Sequence, residues 1–487
     1  MKHLYSKLQS AVIILFASFF ITLTSCSDFL DVTPSDGING GDAFANIANA
    51  NASLHGIYDG LQSVNMYNAN YIFWGDLRGE DMKNTDLAGG RGNAFYRFSH
   101  ISPETAQPNF WTYPYSRLGR INNLIQAFEN NAVAIGPNEE NIAKNIFAQG
   151  YALRALMHFE LVRKYGEPYL KNKSAHGVII VTEPVPTFAK LQRSTVEQAY
   201  IQIVDDLTKA ISLYPPLASR SKDNYGDGYL NVWAAKALLA RVYLTMGEWD
   251  KAFTTADDVI RNASLFSLTP NAEYVNSWGL EFQKESLFAL VNSSQDVGDA
   301  DRETVGYVFD PNGYGDLVIT DGFRALLKSD PDDVRLKLLG TDRLGTAESY
   351  LMKYPGRDGS VMTNNINVIR LSEVYLIAAE AALKKPAKDQ AAANKYLNAI
   401  RQRANPAATD VVATEILILD ERRKELVGEG NRFNDIIRLG LTVTRPEILS
   451  DQEVKVVSWN EHRIILPIGR SEIDINPDIY QNEGYRK

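Results

Sequence analysis

The stretch "WAAKALLARVYLTMGEWDKAFTTADDVI", residues 233–260, constrains the fold more than any other part of the chain. A small residue, an aromatic residue, a turn glycine, a second aromatic and a second small residue follow one another at Ala240, Tyr243, Gly247, Trp249 and Ala252. Small residues let two helices approach closely, and a glycine permits the tight turn between them. The stretch therefore predicts two antiparallel helices packed against each other.

A second stretch has the same kind of pattern. It reads "VIRLSEVYLIAAEAALKK" from Val368, then a proline-containing break, then "AAANKYLNAIRQRAN". Both stretches match tetratricopeptide-like pairs, yet about a hundred residues separate Ile260 from Val368. A pure solenoid does not tolerate such a gap, because each repeat must pack on its neighbour. The sequence therefore predicts a mainly α fold of about four tetratricopeptide-like helix pairs with a large irregular, loop-rich insertion.

Other helices are predicted from apolar residues at three- and four-residue spacings. One covers "NIAKNIFAQGYALRALMHFELVRKY" and is stopped by Gly166 and Pro168. Asp42 is predicted to cap a helix that begins near Ala43. Further helix starts are predicted near Thr195, Val232, Trp249, Val368, Ala391 and Thr414.

Cys26 is the only cysteine in 487 residues, and it follows a short apolar run. Lys2 and Lys7 precede that run, which covers residues 11–23 and is too short to span a bilayer comfortably. The letters "LTSC" that end at Cys26 resemble the bacterial lipobox, whose cysteine is lipidated and becomes the first mature residue. The alternative is a secretory signal with an incidental cysteine.

Composition and periodicity divide the chain into five segments. They are a lipoprotein signal peptide (1–25), a lipidated tether (26–42), an N-terminal helical region with tetratricopeptide-like pairs (43–264), an irregular insertion (265–366) and C-terminal helices with a tail (367–487). The stretches 84–100 and 265–320 are rich in Gly, Asn, Asp and aromatic residues. Loops on a rigid scaffold are where binding residues tend to lie.

Charge and motifs narrow the classes of function. A formal net charge of −9 argues against nucleic acid as a partner, since phosphate binding needs clustered Lys and Arg. The six histidines show no metal-ligand spacing, and neither a GxSxG elbow nor a P-loop occurs. We therefore predict no catalytic residue, no cofactor and no metal site. A surface glycosidase stays an alternative, because 59 acidic residues will include carboxylate pairs by chance.

The segment "DPNGYGDLVITD" has a partial calcium-loop pattern. Asp310, Asn312, Gly315 and Asp321 occupy positions 1, 3, 6 and 12 of an EF-hand-like loop. Tyr314 replaces the oxygen ligand at position 5, and Asp321 is shorter than the usual bidentate Glu. An aromatic-containing binding loop is therefore the favoured interpretation over a calcium site.

Six blocks in this order resemble the SusD/RagB family of outer-membrane nutrient-binding lipoproteins. They are "CSDFLDVTP", "NFWTYPYSRLGRINNLI", "AQGYALRALMHFELVRKYGEPYL", "VIRLSEVYLIAAEAALK", "LDERRKELVGEGNRFNDIIRLG" and "LPIGRSEIDINPDIYQNEGY". The resemblance covers residues 26–485. Gly469 and Glu483 replace prolines that are common in the closing motif, which affects only local turn geometry.

This resemblance implies binding without catalysis. Members of the family cap a TonB-dependent outer-membrane transporter and pass it an oligosaccharide or, in some members, a peptide. For this chain it implies an outward-facing protein anchored to the outer membrane through Cys26, with a SusC-like transporter as partner. Glycan uptake is the favoured function, with peptide capture as the alternative, since the loops offer aromatics and amides but no dense block of one charge.

Candidate ligand residues follow from the chemistry of sugars. Aromatic rings stack on the apolar face of a sugar, while Arg, Asp and Asn side chains bind its hydroxyl rim. The candidates are Arg78, Asp81, Tyr96, Phe98, Trp278, Tyr307 and Tyr314. For each of them, packing inside the protein is the competing interpretation. Arg422 and Arg423 are expected to form structural ion pairs.

Overall fold

Helices are the main regular structure of the computed structural model, which describes residues 43–85, 90–107, 109–186, 188–296, 302–341, 348–445 and 454–485. The α-helices of seven or more residues are α1 Ile47–Leu61, α2 Asn109–Glu129, α3 Glu140–Tyr165, α4 Val196–Leu213, α5 Val232–Met246, α6 Trp249–Asn262, α7 Asp321–Leu327, α8 Leu371–Lys384, α9 Gln390–Ala404, α10 Glu415–Leu426 and α11 Arg432–Arg438. Shorter α-helical segments are Ala69–Ile72, Asn93–Tyr96, Tyr169–Asn172, Tyr274–Ser277, Val305–Phe309 and Arg470–Ile475. The predicted mainly α fold is confirmed.

Consecutive long helices pack side by side. Each of α1 to α5 contacts the helix that follows it, α6 packs on α8, and α8 in turn contacts α9 and α10. The helix array is therefore continuous in space across the long segment that separates α6 from α8 in sequence. This explains how paired helices tolerate a gap that a pure solenoid would not.

The predicted helix pair at 233–260 is confirmed as α5 and α6. Ala240 and Ala252 are fully buried, as their close-packing role requires. Gly247 ends α5 in the left-handed region, with φ of +73°, and its N–H donates to the carbonyl of Leu244. Glu248 N–H donates to the carbonyl of Tyr243, so both groups close the helix end.

Two helix starts differ from the sequence prediction. The first helix begins at Ile47 rather than near Ala43, because the side chain of Asn46 caps it by accepting from Asn49 N–H at 2.9 Å. Helix α8 begins at Leu371 rather than near Val368. The residues just before it form a strand instead, and this part of the sequence is rich in β-branched residues, which favour strands.

Short strands form antiparallel pairs, and some of these pairs join parts of the chain that lie far apart in sequence. The strands are β1 Met82–Asn84, β2 Ser286–Leu290, β3 Leu317–Ile319, β4 Leu339–Thr341, β5 Glu348–Leu351, β6 Ile366–Arg370, β7 Val443–Thr444 and β8 Val456–Val457. They pair as β1–β3, β2–β6, β4–β5 and β7–β8. The β1–β3 pair places the loop that follows residue 84 beside the loop that precedes residue 317.

A buried ion network holds the 265–366 segment to the C-terminal helices. Arg335, Arg370 and Arg403 surround Glu425, with N–O distances of 3.1, 3.1 and 2.5 Å. Burial acts to raise the pKa of Glu425, but these guanidinium groups hold it well below its usual range. The carboxylate is therefore charged in the core and compensated from three directions.

No helix within the described ranges has both the length and the apolar character needed to cross a membrane. The predicted signal peptide (1–25), Cys26 and the tether (26–42) lie outside the described residues.

Candidate functional site

Tyr307 and Tyr314, two of the predicted ligand residues, contact each other. Their ring centroids are 4.9 Å apart and the rings are nearly perpendicular, at 89°. Tyr314 N–H donates to the carbonyl of Tyr307 at 2.9 Å, which closes the loop between them. Both side chains are half-buried. The pair therefore combines a fixed geometry with access to solvent.

The loop is tight because of Gly313. A Cβ atom at this position would lie 2.5 Å from the carbonyl oxygen of Tyr307, closer than real Cβ contacts allow. Only glycine permits this approach of the backbone to itself. The sequence "DPNGYGD" thus positions Tyr314 beside Tyr307 and does not form an extended calcium loop.

Arg91 lies over the ring of Tyr314, with its guanidinium carbon 3.5 Å from the ring centroid. Its Nε and Nη2 donate to the two carboxylate oxygens of Asp316, both at 2.8 Å. The Asp316 side chain is fully buried, whereas that of Arg91 is 27% exposed. The bidentate pair with Asp316 therefore holds the guanidinium group in a fixed position against the Tyr314 ring.

Hydrogen bonds to Asp316 raise the pKa of Arg91, so its guanidinium is charged at every physiological pH. Burial raises the pKa of Asp316, and the contact with Arg91 opposes that rise. We call Arg91, Tyr307, Tyr314 and Asp316 the tyrosine–arginine cluster. It offers two aromatic rings and one charged fork that donates hydrogen bonds, which are the groups that recognise sugars.

The β1–β3 pair brings the two halves of the cluster together. Thr85 N–H donates to the carbonyl of Asp316 at 2.9 Å, and the Thr85 hydroxyl donates to the carbonyl of Gly315 at 2.6 Å. Asn84 Nδ2 donates to the carbonyl of Arg91 at 3.0 Å. The Thr85 contacts, like the pair between Arg91 and Asp316, join segments that lie more than 200 residues apart in sequence. Arg91 was not predicted from the sequence. It lies in the glycine-rich "GGRG" stretch, and no local pattern there indicates its contact with Asp316.

Arg78, Tyr96 and Phe98 lie inside the protein. Arg78 is 1% exposed, and its guanidinium carbon lies 4.1 Å from the ring centroid of Phe98. Burial lowers the pKa of Arg78 to about 9. The guanidinium carbon of Arg445 lies 4.1 Å from the ring centroid of Tyr96. In this structure, these three side chains present no open face to solvent.

Asp81 is also buried, at 1% exposure, and its carboxylate faces two arginines. Arg423 Nη2 lies 2.5 Å from Oδ1, and Arg432 Nε lies 3.5 Å from Oδ2. Arg422 pairs with Asp435 at 2.9 Å. The expectation that Arg422 and Arg423 form structural ion pairs is confirmed.

Trp278 is 5% exposed and packs among aromatic and cationic side chains. Its ring lies edge-on to Tyr274 and Tyr354, with centroid distances of 6.2 and 6.1 Å. Lys353 Nζ lies 4.8 Å from the Trp278 ring centroid. Of the seven predicted ligand residues, only Tyr307 and Tyr314 are half-buried rather than buried, and the ligand role of all seven stays a prediction.

The calcium-like segment adopts a different arrangement from an EF-hand loop. Asp310 Oδ1 accepts from Asn312 N–H at 2.9 Å, and Asp321 begins α7 and pairs with Arg324. Strand β3 lies between them. Within the described ranges, no three His, Cys, Asp or Glu side chains are grouped so as to hold a metal ion.

Two family models match this chain. Residues 28–244 match a model of the SusD-like group described as "Starch-binding associating with outer membrane". Residues 352–485 match the model described as "SusD family".

Relatives and solved structures agree with these models. SusD-like protein P2 from Formosa agariphila is 25% identical and covers 97% of this chain and 99% of its own length. A SusD superfamily protein from Bacteroides thetaiotaomicron is 36% identical, with a TM-score of 0.82 over 90% of this chain and 99% of that chain. A laminarin-binding SusD-like protein is 25% identical, with a TM-score of 0.70 over 91% of this chain and 100% of that chain.

Proposed function

Because this chain belongs to the SusD/RagB family, which associates with the outer membrane, we propose that it is a surface glycan-binding lipoprotein. It is anchored through Cys26, captures oligosaccharides and delivers them to a partner TonB-dependent transporter of the SusC type. It binds its ligand without cleaving it. The segments 1–25, 26–42, 43–264, 265–366 and 367–487 are the corresponding signal peptide, tether, helical region, insertion and C-terminal region.

The tyrosine–arginine cluster is the single observation that carries the glycan proposal. An aromatic pair with fixed geometry stacks on the C–H face of a sugar, and it loses little conformational entropy on binding. Arg91 lies over the Tyr314 ring, and those of its N–H groups that do not face Asp316 donate to sugar hydroxyl groups. A relative of the same fold binds laminarin, a neutral glucan, which is consistent with this chemistry.

Peptide capture is the alternative that a binding measurement must exclude. It rests on backbone hydrogen bonds and charged contacts, so it weakens as salt screens the charges. Stacking on tyrosine rings responds little to salt. Affinity for a neutral oligosaccharide that stays within twofold between low and high salt supports the glycan proposal.

The direct test is calorimetry of the purified protein with a panel that includes laminarin oligosaccharides, starch oligosaccharides and peptides. Tyr307→Ala and Tyr314→Ala are each expected to weaken binding of the active glycan about fivefold, since one stacked ring contributes about 1 kcal/mol. Tyr243→Ala is the matched control, because Tyr243 is a half-buried tyrosine on α5 outside the cluster. Release of reducing ends during incubation would contradict binding without cleavage.

The anchor and the partner need measurements in cells. Cys26→Ala is expected to abolish incorporation of labelled fatty acid and to release the protein from the outer-membrane fraction. The unmodified protein is expected to co-purify with an outer-membrane transporter after mild detergent extraction. A Cys26→Ala variant that remains surface-exposed in the outer membrane would contradict the anchor.

A further inference from the structure

A cavity of about 240 Å³ opens between the C-terminal half of α1, the loop 222–229 and the segment that follows β2. Its lining includes no residue of the tyrosine–arginine cluster. Pockets for drug-sized ligands usually have volumes of about 300–1,000 Å³, so this smaller cavity suits one sugar ring.

Tyr229 forms the aromatic wall of the cavity, and three neighbours hold its ring in place. The rings of Tyr58 and Tyr225 meet it edge to face, each with a centroid distance of 5.2 Å. The Tyr229 hydroxyl lies 3.0 Å from His55 Nε2. Tyr58 is itself fixed, since its hydroxyl accepts from Leu230 N–H at 2.9 Å. Tyr229 is half-buried, so the fixed ring keeps an accessible part.

Gln62 lies in the buried wall of the same cavity. Its Nε2 donates to the carbonyl of Val291, which assigns Oε1 as the acceptor end of the amide. Oε1 is buried and has no hydrogen-bond partner in the part of the chain that the structure describes. A buried acceptor without a partner destabilises the folded protein, because it has lost its hydrogen bonds to water. A hydroxyl donor that enters the cavity would relieve this cost.

The charges around the cavity select the kind of ligand. Three carboxylates, those of Asp59, Asp227 and Asp296, line it together with one ammonium group, that of Lys222. Asp227 pairs with Arg220 at 2.7 Å and Lys222 pairs with Glu281 at 2.6 Å, so these side chains together carry more negative than positive charge. Carboxylates accept hydrogen bonds from sugar hydroxyl groups but repel uronic acids and sulfated sugars. The lining therefore favours an uncharged sugar over an anionic one.

We infer that this cavity is a second binding site, which holds one uncharged sugar unit against Tyr229. The inference rests on the proposed glycan-binding function and adds a site separate from the tyrosine–arginine cluster. Tyr229 supplies the apolar face, while Gln62 and Asp59 accept hydrogen bonds from the hydroxyl rim. A glycan that occupies both sites at once gains affinity from the second contact.

Saturation-transfer difference NMR on the full chain tests the inference with D-glucose, D-galactose, D-mannose and D-glucuronic acid as probes. At least one neutral hexose is expected to show saturable binding in the millimolar range, and D-glucuronic acid is expected to bind at least fivefold more weakly. Tyr229→Ala is expected to weaken binding of the neutral hexose about fivefold. Tyr243→Ala is the matched control, and its affinity is expected to equal that of the parent.

A second variant keeps the test independent of folding. Asp59 is exposed on α1, so Asp59→Ala leaves the packing of the helix intact. This variant is expected to weaken binding of the neutral hexose about threefold. Parent-like hexose affinity in both Tyr229→Ala and Asp59→Ala would overturn the second site. If the protein binds oligosaccharides in calorimetry but no neutral hexose in NMR, the second site is wrong and the proposed function stands. If it binds no glycan in either measurement, both are wrong.

Discussion

Asp81 and Arg423 form an ion pair, with Oδ1 and Nη2 2.5 Å apart, that connects residues 342 positions apart in sequence. The pair holds α10 against the segment that leads into β1. Asp81 is buried, whereas the side chain of Arg423 is 20% exposed. The contact therefore belongs to the partly buried class, in which removal of one partner leaves the other charge poorly solvated.

The first prediction concerns this pair. Asp81→Asn is expected to lower the free energy of unfolding by about 2–3 kcal/mol, because Arg423 loses the closer and more buried of its two carboxylate partners. Urea denaturation followed by circular dichroism measures the change. Asp420→Asn is the matched control, since Asp420 contacts the same arginine at 3.2 Å from a more exposed position, and we expect less than about 0.5 kcal/mol there.

The Asp81→Asn variant also tests the ligand role that the sequence predicts for Asp81. A variant with parent-like stability and lost glycan affinity would show that the carboxylate serves the ligand rather than the fold. The structure leads us to expect the opposite result.

The second prediction concerns Trp278. Its ring is packed among Tyr274, Tyr354 and Lys353, so Trp278→Ala is expected to lower the free energy of unfolding by about 3–5 kcal/mol. Glycan affinity per folded molecule is expected to stay within twofold of the parent. The ligand role that the sequence predicts for Trp278 would instead give weaker binding with little loss of stability. Calorimetry and denaturation on the same preparation distinguish these outcomes.

The third prediction concerns Arg91. Arg91→Lys keeps the positive charge but loses the bidentate hydrogen bonds to Asp316 and the close contact of the guanidinium group with the Tyr314 ring. Binding of the active oligosaccharide is therefore expected to weaken about threefold to fivefold, with little change in melting temperature. Lys83→Arg is a charge-conserving control on β1. If the Arg91→Lys variant binds the oligosaccharide as tightly as the parent does, Arg91 does not contribute to the binding site.

The fourth prediction concerns acid stability. Burial acts to raise the pKa of Asp435, but Arg422 and Arg438 bring it down to about 2. A carboxylate whose folded pKa is depressed stabilises the protein above its unfolded pKa, and this contribution is lost as the pH falls through the folded pKa. Asp435→Asn is expected to be less stable than the parent at pH 7, by about 2 kcal/mol. The difference between variant and parent should shrink between about pH 4 and pH 2.

Urea denaturation at unit steps from pH 7 to pH 2 measures this difference. Asp250→Asn, an exposed carboxylate in the first turn of α6, serves as the control. A constant difference between Asp435→Asn and the parent across this range would contradict a depressed pKa.

The helices and the turn between α5 and α6 were predictable because their signals are local. Ala240 and Ala252 mark the faces that pack, and Gly247 marks the turn, all within one continuous stretch. Val368 shows the limit of such signals. Its surroundings have helical spacing, yet it lies in β6, because β2 pairs with that segment from about 80 residues earlier.

The candidate site depended on contacts that no local pattern encodes. Trp278 and Tyr314 both lie in non-periodic, aromatic-rich segments, and the same aromatic chemistry suits a buried core and a sugar platform. The structure buries Trp278 and leaves Tyr314 half-exposed. Sequence could therefore identify the segment but not the ring that faces solvent.

By itself, the sequence determined the helix pairs, the position of the lone cysteine and the family, since each follows from spacing within one stretch or from the order of several stretches. Only the tertiary structure decided that Arg91 lies on Tyr314 and that Asp81 faces Arg423. These contacts form because antiparallel strand pairing and helix packing bring together segments that lie hundreds of residues apart. Burial, charge compensation and ring exposure are properties of that packing, and they do not belong to any single stretch of the chain.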